Sequence, residues 1–180
     1  DPKDKTINKD TNSYFNIFYV NNPTEKQQLD YLDNGGRFAF IAHIAGDSVK
    51  LKALDMDTSN IQFISDPTEE MQMMVVSKTG SFIRYIKNPT EKVKLEAIKN
   101  DTISLLWIKD PSELLKIEAI KKWPESINLI SNPSLELQKL AIESSNYSIK
   151  IISLCYKYNN WENFDEAFEQ QILDNLNKIS

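Results

Sequence analysis

DPTEEMQMMVV at residues 66–76, NPTEKVKLEAI at 88–98, DPSELLKIEAI at 110–120 and NPSLELQKLAI at 132–142 each begin 22 residues after the one before. Asp or Asn is a good helix N-cap, and proline suits the first helical position because its missing N–H would have no intrahelical partner there. On that reading Asp66 caps, Pro67 opens the helix, and Glu69 reaches back to complete a capping box. Asn88/Glu91, Asp110/Glu113 and Asn22/Glu25 repeat the arrangement, whereas at Asn132 the box is broken by Leu135. A proline deep in a helix is costly, so one every 22 residues restarts a helix every 22 residues.

The apolar columns agree. Met71, Val93, Leu115 and Leu137 stand four residues after the prolines, and Val75/Val76, Ala97/Ile98, Ala119/Ile120 and Ala141/Ile142 stand eight and nine after. This spacing keeps one face of a helix of about ten residues apolar. The small residue in the Ala column lets a neighbouring helix come close. After a polar turn, Ile83/Ile86, Leu105/Ile108, Ile127/Ile130 and Ile149/Ile152 form a second, shorter apolar set. Each module is thus a helix A, a turn and a short helix B. Pro124 is expected to lie in a turn and delay helix B of its module. Helices this short are marginal alone, and stacked neighbours shelter one another's apolar faces.

Worked outward, the proline column runs through positions 23, 45, 67, 89, 111, 133 and 155, with Ala45 and Cys155 replacing the proline. Val49, Leu51, Ala53 and Leu54 reveal the module hidden behind Ala45. Asp33-Asn34-Gly35-Gly36 holds half the glycines and is expected to bend or hinge. Residues 1–13 are a polar N-terminal segment, 14–160 the α-helical repeat domain, and 161–180 an amphipathic C-terminal helix that caps the stack or meets a partner. The expected class is all-α, a right-handed α-solenoid of about seven helix-turn-helix modules.

A net charge of −5 and a pI of about 5.0 argue against bulk attraction to nucleic acid. One cysteine, Cys155, excludes an intrachain disulfide framework and fits a reducing, cytoplasmic setting. No apolar run approaches a membrane span, and no signal-peptide pattern opens the chain. The chain begins at Asp1, which leaves room for a removed leader or further upstream repeats.

The alternation of a capped helix with a short second helix resembles HEAT-like α-solenoids. With so short a period it is also similar to the leucine-rich-repeat variant, in which an α-helix alternates with a 3-10 turn. The Asn/Asp-Pro-Thr/Ser-Glu opening is similar to short tandem repeats of bacterial and phage proteins. The likeness covers residues 14–155. It implies a scaffold or binder of peptide or nucleic acid, and no residue here matches a catalytic motif of the HEAT-like repair glycosylases.

Two columns on helix B are candidates for a binding face. Seventeen and twenty residues after the proline come Phe40/His43, Gln62/Ser65, Arg84/Lys87, Leu106/Lys109, Asn128/Ser131 and Lys150/Ser153, without one Asp or Glu. The acids gather on helix A instead, at Glu69, Glu70, Glu91, Glu96, Glu113, Glu118 and Glu136. A mildly basic helix B face could accept an acidic peptide or a phosphate backbone. The plainer reading is that Lys87 and Lys109 only complement the C-terminal dipole of helix B. The column one residue along holds Ile41, Phe63, Tyr85, Trp107, Leu129 and Ile151. It is read as core, or, if exposed, as a contact surface for bases or a partner's apolar side chains.

Catalysis finds little support. His43 is the single histidine, far from Cys155; no Cys/His cluster has metal-ligand spacing, and no glycine loop could cradle a phosphate. The expectation is a non-enzymatic adaptor without cofactor that binds a protein or peptide through Arg84, Lys87, Lys109, Lys150, His43, Tyr85 and Trp107. The alternatives are nucleic-acid binding by the same ladder, and an acidic phage-type inhibitor whose helix A face mimics nucleic acid.

Overall fold

A computed structural model of the chain describes residues 16–145, together with Gln170 and Asp174. Residues 1–13, the amphipathic segment 161–180 (those two residues apart), Lys150, Ile151, Ser153 and Cys155 lie outside the described residues. Among the described residues there are only helices and their connections, with no strand. Six α-helices, α1 (Glu25–Asp33), α2 (Asp47–Met56), α3 (Glu69–Lys78), α4 (Glu91–Asn100), α5 (Glu113–Lys122) and α6 (Leu135–Ser144), alternate with six 3-10 helices. These are η1 (Asn16–Tyr19), η2 (Phe38–Phe40), η3 (Thr58–Phe63), η4 (Gly80–Tyr85), η5 (Thr102–Trp107) and η6 (Pro124–Leu129). The contacts divide the chain into two units, one ending at Asp66 and the other beginning at Pro67. In the first, α1 packs on α2 and η2 on η3; in the second, α3 to α6 stack in order while η4, η5 and η6 pack in order as a second layer.

Helix B is therefore a 3-10 helix in every described module, and its apolar spacing explains why. With three residues per turn, side chains three apart eclipse on one edge. Ile83 and Ile86, Leu105 and Ile108, and Ile127 and Ile130 do so, and all six are buried. Side chains set the start of the turn as well: the Asp101 carboxylate accepts from the Ile103 N–H at 3.0 Å and Asp57 accepts from Ser59 at 2.8 Å. Pro124 does not delay its helix but opens it, in a first-turn position where a missing N–H costs little.

The α-helices start two residues later than the capping argument placed them. The N-caps are Thr24, Gly46, Thr68, Thr90, Ser112 and Ser134, all extended, and the glutamates expected at the third helical position occupy the first. Thr68 Oγ1 accepts from the Met71 N–H at 3.3 Å, and Thr90 and Ser134 serve Val93 and Leu137 alike. A reciprocal box forms at Thr24, where the third helical residue is Gln27. In the other described modules with a Thr or Ser cap that residue is the core Met, Val or Leu, which cannot reach back. Asp or Asn before the proline has a different task. Asn22, Asp110 and Asn132 take φ of 57°, 48° and 50°, the left-handed region that short polar side chains tolerate best. The proline carbonyl is also occupied, because Gln28, Gln72 and Gln138 donate to Pro23, Pro67 and Pro133 at 2.9–3.0 Å.

The core follows the columns. Met71, Val75 and Val76, then Val93, Ala97 and Ile98, then Leu115, Ala119 and Ile120, are at most 1% exposed. Val49, Ala53 and Leu54 are fully buried, so the module lacking a proline folds like the rest. Each fully buried Leu or Ile contributes about 1.5–3 kcal/mol relative to exposure. The expected hinge at residues 33–36 is tied down locally: Gly36 N–H donates to Tyr31 O, Gly35 N–H to Leu32 O, and Gly35 supplies the left-handed φ of 83°.

Polar staples join neighbouring modules. Asn100, at the end of α4, donates from Nδ2 to Ser77 O at 2.8 Å and accepts from the Gly80 N–H at 2.7 Å. One module on, the Lys122 ammonium donates to the terminal carbonyls of α4, including Lys99 O and Asn100 O, where an unpaired helix end and its dipole favour a cation. Glu91 is held below its usual carboxylate range, first by Lys94 Nζ at 2.7 Å and then by the Ser112 hydroxyl at 3.1 Å from the next module.

The odd cap invites a test. Gly46 has φ −73° and ψ 173°, close to Thr68 at −62° and 160°, and a Cβ added there meets nothing within 4 Å. Gly46→Thr is expected to raise stability by about 0.5–1 kcal/mol, through a cap hydroxyl and a less mobile unfolded chain. Chemical denaturation checks it; a midpoint that falls would show that the module lacking its proline differs in backbone from its neighbours.

Candidate functional site

The 3-10 layer decides which side chains face water. Because residues sixteen and nineteen after the proline share the buried edge, seventeen, eighteen and twenty turn outward. Arg84, Lys87, Leu106, Lys109, Asn128 and Ser131 are exposed in the second unit, and Phe40, His43, Gln62 and Ser65 in the first. The column read as core is mostly not core. Ile41 is buried and Leu129 half-buried, but Phe63 is 42%, Tyr85 38% and Trp107 52% exposed. The sequence pattern treated helix B as if its burial were spread over a wider face, as in an α-helix; the three-residue turn confines burial to one edge.

Five of the described candidates belong to the second unit, and three of them, Arg84, Tyr85 and Trp107, come together. The Arg84 guanidinium lies 4.7 Å from the Tyr85 ring centre, 5.5 Å from Phe82 and 5.9 Å from Trp107, which belongs to the next module. Arg84 Nη2 donates to the Tyr85 hydroxyl at 3.0 Å, and the Phe82 and Tyr85 rings meet edge-on at 5.6 Å. Stacking of this kind positions a guanidinium without neutralising it. Among the described residues, neither Arg84, Lys87 nor Lys109 has an ion pair with a carboxylate. His43 belongs to the first unit.

The α-helical layer differs. Lys92 pairs with Glu69 across α3 and α4, and Lys94 with Glu91, Lys116 with Glu113 and Lys121 with Glu118 within single helices. The four α-helices of the second unit carry eight glutamates and eight lysines. The expected acidic helix A face is thus close to balanced, because lysines interleave with the glutamates one turn away. The surplus of acid lies in residues 161–180, with five acidic residues against one lysine.

Grooves mark the joints between successive 3-10 helices. In the second unit, one of about 510 Å³ has Leu106 and Leu129 as walls, with Asp110, Pro111, Lys116 and Ser131 beside them, so it carries one acid and one base. In the first unit a groove of about 400 Å³ uses the matching positions Ala45, Lys50, Phe63 and Ser65, with His43. The lysine five residues after the proline site is a position the sequence reading passed over. The same position is Lys50, Lys94 and Lys116 in three modules and Gln28, Gln72 and Gln138 in the others, and the period itself was the signal that could have found it.

No protein-family model, curated protein or solved structure matches the chain. Among the described residues no three His, Cys, Asp or Glu side chains converge as metal ligands, and no helix is long and apolar enough to cross a membrane. The 3-10 layer of the second unit thus offers three cations with no carboxylate ion pair among the described residues, one of them, Arg84, stacked against the exposed rings of Tyr85 and Trp107.

Proposed function

We propose that the protein is a non-enzymatic repeat module that binds a protein or peptide on the 3-10 face of its second unit. The observation that carries this reading is the contrast between the two layers. Four of the eight lysines on α3 to α6 pair with glutamates, whereas Arg84, Lys87 and Lys109, on a layer that also exposes Tyr85, Leu106 and Trp107, form no ion pair with a carboxylate among the described residues. Aromatic and arginine side chains are the usual anchors of interfaces. The alternation of α-helix with 3-10 helix supports kinship with the leucine-rich-repeat variant rather than with HEAT-like arrays. The plainer view of Lys87 and Lys109 as dipole partners leaves the exposed rings and Arg84 unaccounted for.

Nucleic acid is the second reading, since stacked aromatics and cations also suit a single strand. The balanced α-helical layer weighs against a nucleic-acid mimic. Arg84→Glu/Lys87→Glu/Lys109→Glu is expected to change stability by no more than about 0.5 kcal/mol per site while weakening partner capture at least about tenfold. Capture from the native host with wild type, this variant and Lys92→Glu/Lys99→Glu/Lys121→Glu as a control checks it. Equal capture by all three would remove the 3-10 face from consideration, and binding that falls steeply with salt to an oligonucleotide would favour the second reading.

A further inference from the structure

We infer that the occupant of this face is an acidic peptide lying extended in the polyproline-II conformation, with one anchoring residue in every three. The inference rests on the binding role proposed above and concerns the partner's shape. Its starting point is that the exposed side chains of the second unit repeat from one module to the next: Tyr85 and Trp107 stand 22 residues apart, as do Lys87 and Lys109, and Arg84 reaches the Trp107 ring of the next module. A ligand that engages both modules must therefore repeat its own chemistry at the module spacing.

That spacing selects a conformation. Packed helices lie about 8–10 Å apart, and in the second unit Arg84 and Trp107 bridge neighbouring 3-10 helices at 5.9 Å, so these layers are in contact. A polyproline-II chain advances about 3.1 Å per residue with three residues per turn, so one edge repeats about every 9.3 Å. Same-face residues of a β-strand repeat about every 6.6–6.8 Å and the turns of an α-helix about every 5.4 Å, and neither matches. Pairing onto a sheet edge is unsupported too, because the described residues contain no strand.

Chemistry supplies the rest. Arg84, Lys87 and Lys109 carry charge that the described residues do not neutralise, and this calls for carboxylates on the ligand. Tyr85 at 38% and Trp107 at 52% exposure offer flat faces for pyrrolidine rings, as aromatic grooves do for proline-rich segments. Leu106, 55% exposed, extends that apolar wall. A stiff ligand of this kind also loses little conformational entropy on binding.

Fluorescein-labelled synthetic dodecapeptides, titrated with the full chain at low salt and followed by anisotropy, test the proposal. (Glu-Pro-Pro)4 is expected to bind about tenfold tighter than (Glu-Pro)6, although the latter carries more charge, and about tenfold tighter than (Glu-Pro-Pro-Pro)3. (Glu-Gly-Ser)4 keeps the spacing without the stiffness and is expected to be weaker, and (Lys-Pro-Pro)4 should not bind. Trp107→Ala, with its helical circular dichroism retained, should lose about tenfold in affinity for (Glu-Pro-Pro)4. If (Glu-Pro)6 binds as well or better, and the triple charge reversal abolishes it, the register is overturned while the basic face stands. If no acidic peptide binds, both fall; if an oligothymidylate binds tighter than every peptide, the peptide ligand is overturned in favour of nucleic acid.

Discussion

Leu115→Ala is expected to destabilise the protein by about 2–5 kcal/mol, the largest effect of any truncation argued here. Leu115 is 0% exposed on α5, which packs between α4 and α6. Removing its isobutyl group leaves a cavity between two interfaces at once, and a stack of short helices can close over it only by shifting a whole module. Leu114 is the control. One residue earlier on the same helix and 57% exposed, it should tolerate alanine within about 0.5 kcal/mol. Urea melts of the two variants check the pair, and similar losses would mean that the four-, eight- and nine-residue columns do not define the buried face.

Gly80→Ala comes next, with an expected cost of about 1–3 kcal/mol from overpacking. Gly80 has no unusual φ, so the demand is for space. A Cβ there would press on the Ala97 carbonyl oxygen and lie 2.9 Å from Ser104 Oγ and 3.0 Å from the Asp101 nitrogen. Two of these are backbone atoms at the end of α4 and cannot swing aside. The Gly80 N–H is also held by Asn100 Oδ1, so the added methyl forces apart the two modules that Asn100 joins. Thermal or urea denaturation would show the loss, and a neutral result would mean that the α3–α4 junction is looser than its contacts indicate. Gly36 holds the matching position in the first described module, where a Cβ would meet the Tyr31 ring, but Thr58, Thr102 and Pro124 hold it elsewhere, so the repeat pattern alone does not set this requirement.

Much of the architecture was legible beforehand because it rests on periodicity. The 22-residue recurrence, the apolar columns and the disguised module at Ala45 all reappear as stacked, buried helices. The helix starts were misplaced by two residues for a local reason. Asp, Asn, Thr and Ser are all competent caps, and residues 66–69 offer two of them in a row of four. Only the folded chain shows that the Thr68 hydroxyl reaches the Met71 N–H, while Asp110 and Asn132 serve as left-handed turn residues. The binding face was half legible. Arg84, Lys87 and Lys109 could be aligned by counting, but whether Tyr85 and Trp107 lay in the core depended on whether helix B turns every three residues or every 3.6.

By itself, then, the amino-acid sequence determined that this protein repeats short helices and which residues each α-helix hides, because apolar side chains recurring at fixed spacing admit one way of sheltering them. Tertiary structure alone decided that the rings of Tyr85 and Trp107, from neighbouring modules, meet at Arg84, that Asn100 and Lys122 staple adjacent helices together, and that Gly80 has no room for a side chain. Those outcomes depend on how far apart neighbouring modules settle and on which side chains meet across the gap, distances that no spacing within a single module contains.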